Sequence, residues 1–301
     1  MKIKQLMMQY AAGGLRQAIG ASEAEIEGAL EIRIRLGKPL TARTAKGEIA
    51  LGGGFLPTMQ DIVGTLEKMA SHSLYAFDAE IKSGFITIAG GHRVGICGRV
   101  ALEGGKIKTM RHISGLTVRI SRQIIGAASA VVGQVCGDKG ELRNTLIVSP
   151  PGAGKTTVLR DLIRILSKDG YNISVVDERS EIAGSHNGVA QNDLGPRTDV
   201  LDAAPKAEGM LLMLRAMSPD IIAVDEIGHD ADVDALLAIA CCGVKIIATC
   251  HGSNLDDLRT KPAFAPLLAN KIFDRYIFLG ASPKPGTVKE VYDRDLREAT
   301  A

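Results

Sequence analysis

Residues 149–156 read SPPGAGKT, a proline-led, glycine-rich turn that ends in a lysine and a hydroxyl. Glycines let successive backbone N–H groups converge on phosphate oxygens, and a helix starting there adds its positive end. In such a loop the lysine reaches the β- and γ-phosphates of a nucleotide and the hydroxyl ligates Mg²⁺. The spacing assigns Ser149, Pro150, Pro151, Gly152, Ala153, Gly154, Lys155, Thr156 and Thr157 to nucleotide binding, with ATP and Mg²⁺ as the expected ligands. One position departs from the pattern, which opens with glycine where this chain has Ser149.

Three further strings carry acids or bases. IIAVDE at 221–226 is an apolar run delivering Asp225, a candidate Mg²⁺ ligand beside Thr156, and Glu226, which can polarise an attacking water. A carboxylate beside the metal favours hydrolysis over transfer to a second substrate. VVDERSE at 175–181 leaves Asp177, Glu178 and Glu181 past another apolar run, and Glu178 is the next candidate base. ATCHG at 248–252 leaves His251 in the same kind of place, where it can contact a γ-phosphate.

These strings share one setting. TLIV at 145–148, ISVV at 173–176, IIAV at 221–224 and VKIIA at 244–248 are short apolar runs, each followed by polar residues. Helical patterns at 156–167, 205–217 and 231–242 alternate with them. Buried strands alternating with helices give a mostly parallel sheet, whose functional groups gather beyond the carboxyl ends of the strands. The first half reads differently. EIRIRL at 31–36 alternates like a half-buried strand, and 59–74 carries apolar residues at helical spacing. Residues 84–91 and 92–98 read as two short strands joined at Gly90-Gly91, and 117–120 as another.

At 301 residues the chain has room for two domains. We expect a smaller α+β domain at 1–138, a linker at 135–140, and an α/β domain at 139–301. With 46% hydrophobic and 23% charged residues it is ordinary globular material, which excludes disorder, collagen and coiled coil. Its longest apolar stretch, 235–244, is too short to span a bilayer, and no secretory leader is expected. Five cysteines without CxxC spacing support neither a disulfide framework nor a zinc ribbon. The net charge of +2 hides an asymmetry: 17 basic residues against 11 acidic in 1–138, and 19 against 23 in 139–301. Residues 82–122 hold eight of those bases and one acid, Glu103, and such a segment seeks anions.

Taken in order, the phosphate loop, acidic box, Asp-Glu strand and terminal histidine resemble the type II/IV secretion ATPases. Asp177–Glu181 would match that family's aspartate box and His251 its histidine box. Asp225 departs, because those enzymes usually carry glycine before the strand's glutamate. A longer set of strings, EIRIRLGKP (31–39), SLYA (73–76), GGHRVG (90–95), RTDV (197–200), PKAEGM (205–210) and RAMSP (215–219), resembles the stage III sporulation protein AA family of endospore-forming bacteria.

The resemblance implies a RecA-like P-loop NTPase domain of the AAA kind and a mother-cell ATPase powering a secretion-like channel into the forespore. It also implies a homo-oligomeric ring, read as a hexamer, docked on membrane-embedded sporulation channel proteins. The chain is then expected in the cytoplasm, held peripherally at the cytoplasmic face of a membrane. A neighbouring subunit's arginine could complete the site, with Arg111, Arg119 and Arg122 as candidates and Arg119 the one assigned. Two other readings stand beside this one: a nucleotide-gated module binding RNA or single-stranded DNA through 82–122, and a structural protein that uses ATP only to assemble. Phe85 is the one aromatic in that segment, so base stacking has little to work with and nucleic acid is not the expected partner.

Overall fold

Apolar runs that sit between polar turns become fully covered strands. In a computed structural model, which describes residues 2–70, 84–137 and 140–299, the chain forms two compact units, Met1–Arg122 and Gln123–Ala301. The division falls at Arg122, ahead of the expected boundary at 138. The cause is packing: Ala128, Val131, Val135 and Leu142 share a buried cluster with Ile147 and Leu162. The expected linker thus begins inside a helical turn, Val132–Val135, and Cys136 bridges to Leu142. Residues 138 and 139, the expected boundary itself, lie outside the described residues.

The first unit carries a six-stranded sheet in the order β3-β2-β1-β6-β5-β4, every neighbouring pair antiparallel. Its strands are β1 (Ala29–Arg35), β2 (Thr41–Thr44), β3 (Gly47–Ala50), β4 (Phe85–Ile88), β5 (His92–Glu103) and β6 (Lys106–Arg119). Period-two alternation puts Ile32 and Ile34 of β1 in the core with Leu6, Leu15 and Ile62 from the helices Ile3–Tyr10, Gly13–Gly20 and Met59–Met69. β5 and β6 are far longer than the short strands expected at 92–98 and 117–120. The missed signal is Gly104-Gly105, at φ 58° and 78°, a two-residue turn of the type that joins twisted hairpin strands. The last residues of the expected helix at 59–74, the SLYA string and Lys82 lie outside the described residues.

The second unit is built on a seven-stranded sheet in the order β13-β12-β7-β11-β10-β8-β9. The strands are β7 (Thr145–Ser149), β8 (Ile173–Asp177), β9 (Thr198–Asp202), β10 (Ile221–Val224), β11 (Lys245–His251), β12 (Arg275–Gly280) and β13 (Thr287–Asp293). All neighbours are parallel except β12 with β13. Every residue of β7, β8 and β10 is buried, as a sheet covered on both faces requires. Alternation divides the side chains between two cores: Leu146, Val148, Ile246 and Ala248 face one, with helix Asp230–Cys241. Ile147 and Ile247 face the other, with Val158, Leu162 and Leu166 of helix Lys155–Lys168. This is the α/β, mostly parallel architecture read from the sequence.

Candidate active site

β7 delivers residues 150–154 to the carboxyl edge of the sheet, and helix Lys155–Lys168 starts at once. Gly154 must be glycine twice over. Its φ is 90°, and a Cβ there would lie 3.0 Å from the Gly286 backbone nitrogen. That nitrogen donates to the Ala153 carbonyl at 2.8 Å, so the turn between β12 and β13 braces the loop from behind. Gly152, at φ 75°, is exposed along with Pro151, while Ala153 and Lys155 are buried. Ser149, where a glycine was expected, is buried at the end of β7, its hydroxyl donating to the Pro150 carbonyl at 3.0 Å. Thr157 lies half-buried in the first turn of the helix.

β10 brings the two carboxylates to the same place. Thr156 Oγ1 donates to Asp225 Oδ2 at 2.6 Å, and the Thr249 hydroxyl donates to Asp225 Oδ1. The chain then turns sharply: Glu226 sits at φ 54°, a region that side chains other than glycine, asparagine and aspartate rarely adopt. Its N–H donates to Thr249 Oγ1 at 2.9 Å. The Glu226 carboxylate meets three cations or cation-forming groups. Lys155 Nζ lies 2.7 Å from Oε1, His251 Nε2 lies 3.1 Å from the same oxygen, and Arg179 reaches Oε2 at 3.4 Å. Burial pushes the Glu226 carboxyl up, but Lys155's hydrogen bond and charge, with His251 and Arg179, outweigh it and hold the group below its ordinary value.

A cavity of about 610 Å³ opens beside this cluster, bordered by Glu226, His251, Arg179, His229, Lys206 and Lys261. Glu178 borders it too, but its carboxylate is engaged by the Lys206 ammonium. Asp177 does something else. It accepts from the backbone N–H groups of Glu181, Ile182 and Ala183 at 2.8–3.0 Å, so it holds the turn after β8 rather than facing a ligand. Burial pushes its carboxyl up to about 6, against the pull of those three N–H groups.

The sequence-assigned residues Lys155, Thr156, Asp225, Glu226 and His251 therefore converge, with Glu178 at the margin. Arg119 belongs to the other unit: it lies on β6, exposed, 3.6 Å from Glu31. Arg111 and Arg122 belong to that unit as well; Arg122 donates to the Ala29 carbonyl at 3.2 Å. Sequence reasoning passed over Arg179, Thr249 and the Gly286 brace. The first two stand inside the very strings it singled out; the third comes from a turn far along the chain that no local pattern announces.

Thr156 Oγ1 and Asp225 Oδ2 form a hard oxygen pair, which suits Mg²⁺. Among the described residues no group of three or more histidines, cysteines or carboxylates gathers as a metal cage. A pair of protein oxygens is nonetheless the kind of holding Mg²⁺ accepts, because it keeps phosphate oxygens and water for the rest of its shell. The left-handed glycines of the loop and the helix start behind it fit a polyphosphate.

The profile of the family described as "Sporulation stage III, protein AA" matches residues 1–298. The chain is 42% identical over 270 residues to stage III sporulation protein AA of Bacillus subtilis, covering 88% of this chain and 87% of that one. It is 30% identical over 204 residues to the uncharacterized protein ycf45 of Porphyra purpurea, 64% of this chain and 34% of that protein. In fold it is similar to the ATPase DotB of Legionella pneumophila, with a TM-score of 0.59 at 14% identity over 89% of this chain and 77% of that one. The pilus retraction motor PilT, solved with bound ADP, gives a TM-score of 0.59 at 16% identity over 92% of this chain and 78% of that one. At these identities the likeness to DotB and PilT is one of fold.

Proposed function

The chain belongs to the sporulation stage III protein AA family, and from that premise we propose that it is a Mg²⁺-dependent ATPase, the motor subunit of a secretion-like channel between mother cell and forespore. The observation that carries the reading is the pairing of loop and acidic strand end. Lys155 lies 2.7 Å from Glu226 and Thr156 lies 2.6 Å from Asp225, so the binding cation, both metal-holding oxygens and the base meet at one point.

The loop N–H groups and the Lys155 ammonium take the β- and γ-phosphates. As Lys155 turns toward phosphate oxygens it releases Glu226, which then accepts a proton from the attacking water. The water oxygen bonds to the γ-phosphorus, the bond to the β–γ bridging oxygen breaks, and ADP and inorganic phosphate result. Arg179 and His251, already at the Glu226 carboxylate, stand where negative charge develops on the γ-phosphoryl group, the guanidinium as a cation and the imidazole as a hydrogen-bonding partner. Mg²⁺ held by Thr156 and Asp225 would neutralise charge on the β- and γ-oxygens.

In our reading the motor works as a ring, a hexamer, docked on membrane-embedded sporulation proteins; the likeness in fold to the ATPase DotB and to a retraction motor supports the motor part of it. No helix among the described residues is long and apolar enough to cross a membrane. In our reading docking is through protein surface, at the mother cell's cytoplasmic face. Steady-state phosphate release tests the reading. The parent should hydrolyse ATP only with Mg²⁺, and Glu226→Gln should bind ATP yet release phosphate about 10²-fold more slowly. A parent that turns over only when single-stranded nucleic acid is added would favour the binding-module alternative. One that assembles with ATP and never hydrolyses it would favour the structural one.

A further inference from the structure

Thr249 is fully buried on β11, one residue beyond the last registered pair between β10 and β11, Val224 with Ala248. Its hydroxyl has one proton to give, and a backbone N–H can only donate, so the directions of both its hydrogen bonds are fixed. Thr249 donates to Asp225 Oδ1 and accepts from the Glu226 N–H at 2.9 Å. Its own carbonyl accepts from the Ile227 N–H at 2.9 Å. One residue on the neighbouring strand thus grips three consecutive residues of the acidic strand end.

The consequences for Asp225 and Glu226 differ. Asp225 uses Oδ1 for Thr249 and presents Oδ2 to Thr156, so the Thr249 hydroxyl selects which carboxylate oxygen faces the metal position. Glu226 lies at φ 54°, a conformation unfavourable for a non-glycine residue that persists only where surroundings over-determine it. The bond from its N–H to the Thr249 hydroxyl holds this turn from the side chain, beside the backbone bond from the Ile227 N–H.

We propose that Thr249 is the positioning residue of the hydrolytic site: its single hydroxyl sets the metal-facing oxygen of Asp225 and the backbone turn that aims Glu226. The proposal rests on the ATPase reading for its kinetic part alone; its geometric part concerns Asp225 and Glu226 as they stand.

Thr249→Val keeps shape, burial and strand propensity and removes the hydroxyl, while Thr249→Ser keeps the hydroxyl. Three measurements decide. Amide hydrogen exchange over 225–227, on the protein without added nucleotide, should quicken at least tenfold in the valine variant and stay near the parent in the serine variant. The Mg²⁺ concentration that half-maximally tightens ATP binding should rise about tenfold in valine and not in serine, with ATP affinity in the absence of Mg²⁺ unchanged. Turnover should fall about 10²-fold in valine at saturating ATP and recover to within a few-fold in serine.

Equal exchange and equal Mg²⁺ demand in valine and parent would overturn the proposal, as would a serine variant as impaired as valine. A parent that binds ATP with Mg²⁺ and never hydrolyses it would remove the ATPase reading. The exchange and Mg²⁺ measurements would then decide the role of Thr249 by themselves.

Discussion

The Lys155 ammonium and the Glu226 carboxylate, 71 residues apart in the chain, lie 2.7 Å from each other across the carboxyl edge of the sheet. The group assigned to hold phosphate and the group assigned to activate water neutralise one another. Lys155 is almost wholly buried, whereas the Glu226 side chain keeps a quarter of its surface in solvent. In the proposed reaction an anion arriving at the loop would compete with Glu226 for Lys155, and binding would release the carboxylate that activates water.

Lys155→Ala should abolish tight ATP binding in a titration while leaving the melting temperature within a few degrees of the parent. Glu226 keeps water, His251 and Arg179, so no unpaired charge is stranded in the core. The same variant loses the principal force holding the Glu226 carboxyl low, and burial then raises it. In the parent, Glu226 binds its proton more weakly folded than unfolded. It contributes stability above the unfolded value, about 4.3 for a glutamate, and that contribution is lost as pH falls through the lower folded value. The variant should show a smaller acid-side loss of this origin, read by denaturant unfolding between pH 3 and pH 5. Unchanged ATP affinity in Lys155→Ala would remove the loop assignment.

Asp177 predicts the opposite sign. Burial raises its carboxyl from the usual 3.8 to about 6, so the folded protein binds this proton more tightly than the unfolded chain. Between those values folding takes up a proton, and stability from this group falls as pH rises. The difference amounts to about 3 kcal/mol from pH 4 to pH 7, as an order of magnitude. Asp177→Asn removes the titration and forfeits one acceptor oxygen from a carboxylate that serves three backbone N–H groups. The variant should be less stable than the parent in mild acid and relatively less so near neutrality. Parallel stability–pH curves for the two proteins would contradict the raised value.

The parallel sheet was legible because four apolar runs of four or five residues each ended in a polar string, and both periodicity and motif pointed to the same edge. Lys155, Asp225, Glu226 and His251 stand in those strings, and the structure gathers them at that edge. What stayed hidden depended on contacts between distant segments. Gly286 braces Ala153 from more than a hundred residues away, and nothing in the string around Gly286 announces a phosphate loop. Asp177 ends its apolar run as Asp225 does, but pattern alone does not say whether a carboxylate at a strand end faces outward or folds back on its own backbone, as Asp177 does. The long β5–β6 hairpin has a local signal that the short-strand pattern does not use, the Gly-Gly turn at 104–105.

The arginine assignment is open to a direct test, because Arg119 can be removed without loosening the sheet that carries it. It is exposed on β6, and its partner Glu31 also pairs with Arg33, so Arg119→Ala leaves that carboxylate with a cation. If Arg119 serves the site of a neighbouring subunit, Arg119→Ala alone should lose about 10³-fold or more in turnover while binding ATP normally. Mixing it with Lys155→Ala subunits should then restore part of the activity, since some interfaces would join an intact loop to an intact arginine. The arrangement requires assembly, which sedimentation of Glu226→Gln with ATP and Mg²⁺ reads separately. Sites shared between subunits gain binding energy only in the ring, so that variant should shift from a small species toward a hexamer as ATP is added. Complementation that fails for Arg111, Arg119 and Arg122 alike, in a mixture that sediments as a ring, would exclude a trans role for this segment. A Glu226→Gln protein that stays monomeric at micromolar concentration and saturating ATP would instead make the ring dependent on a partner at the membrane.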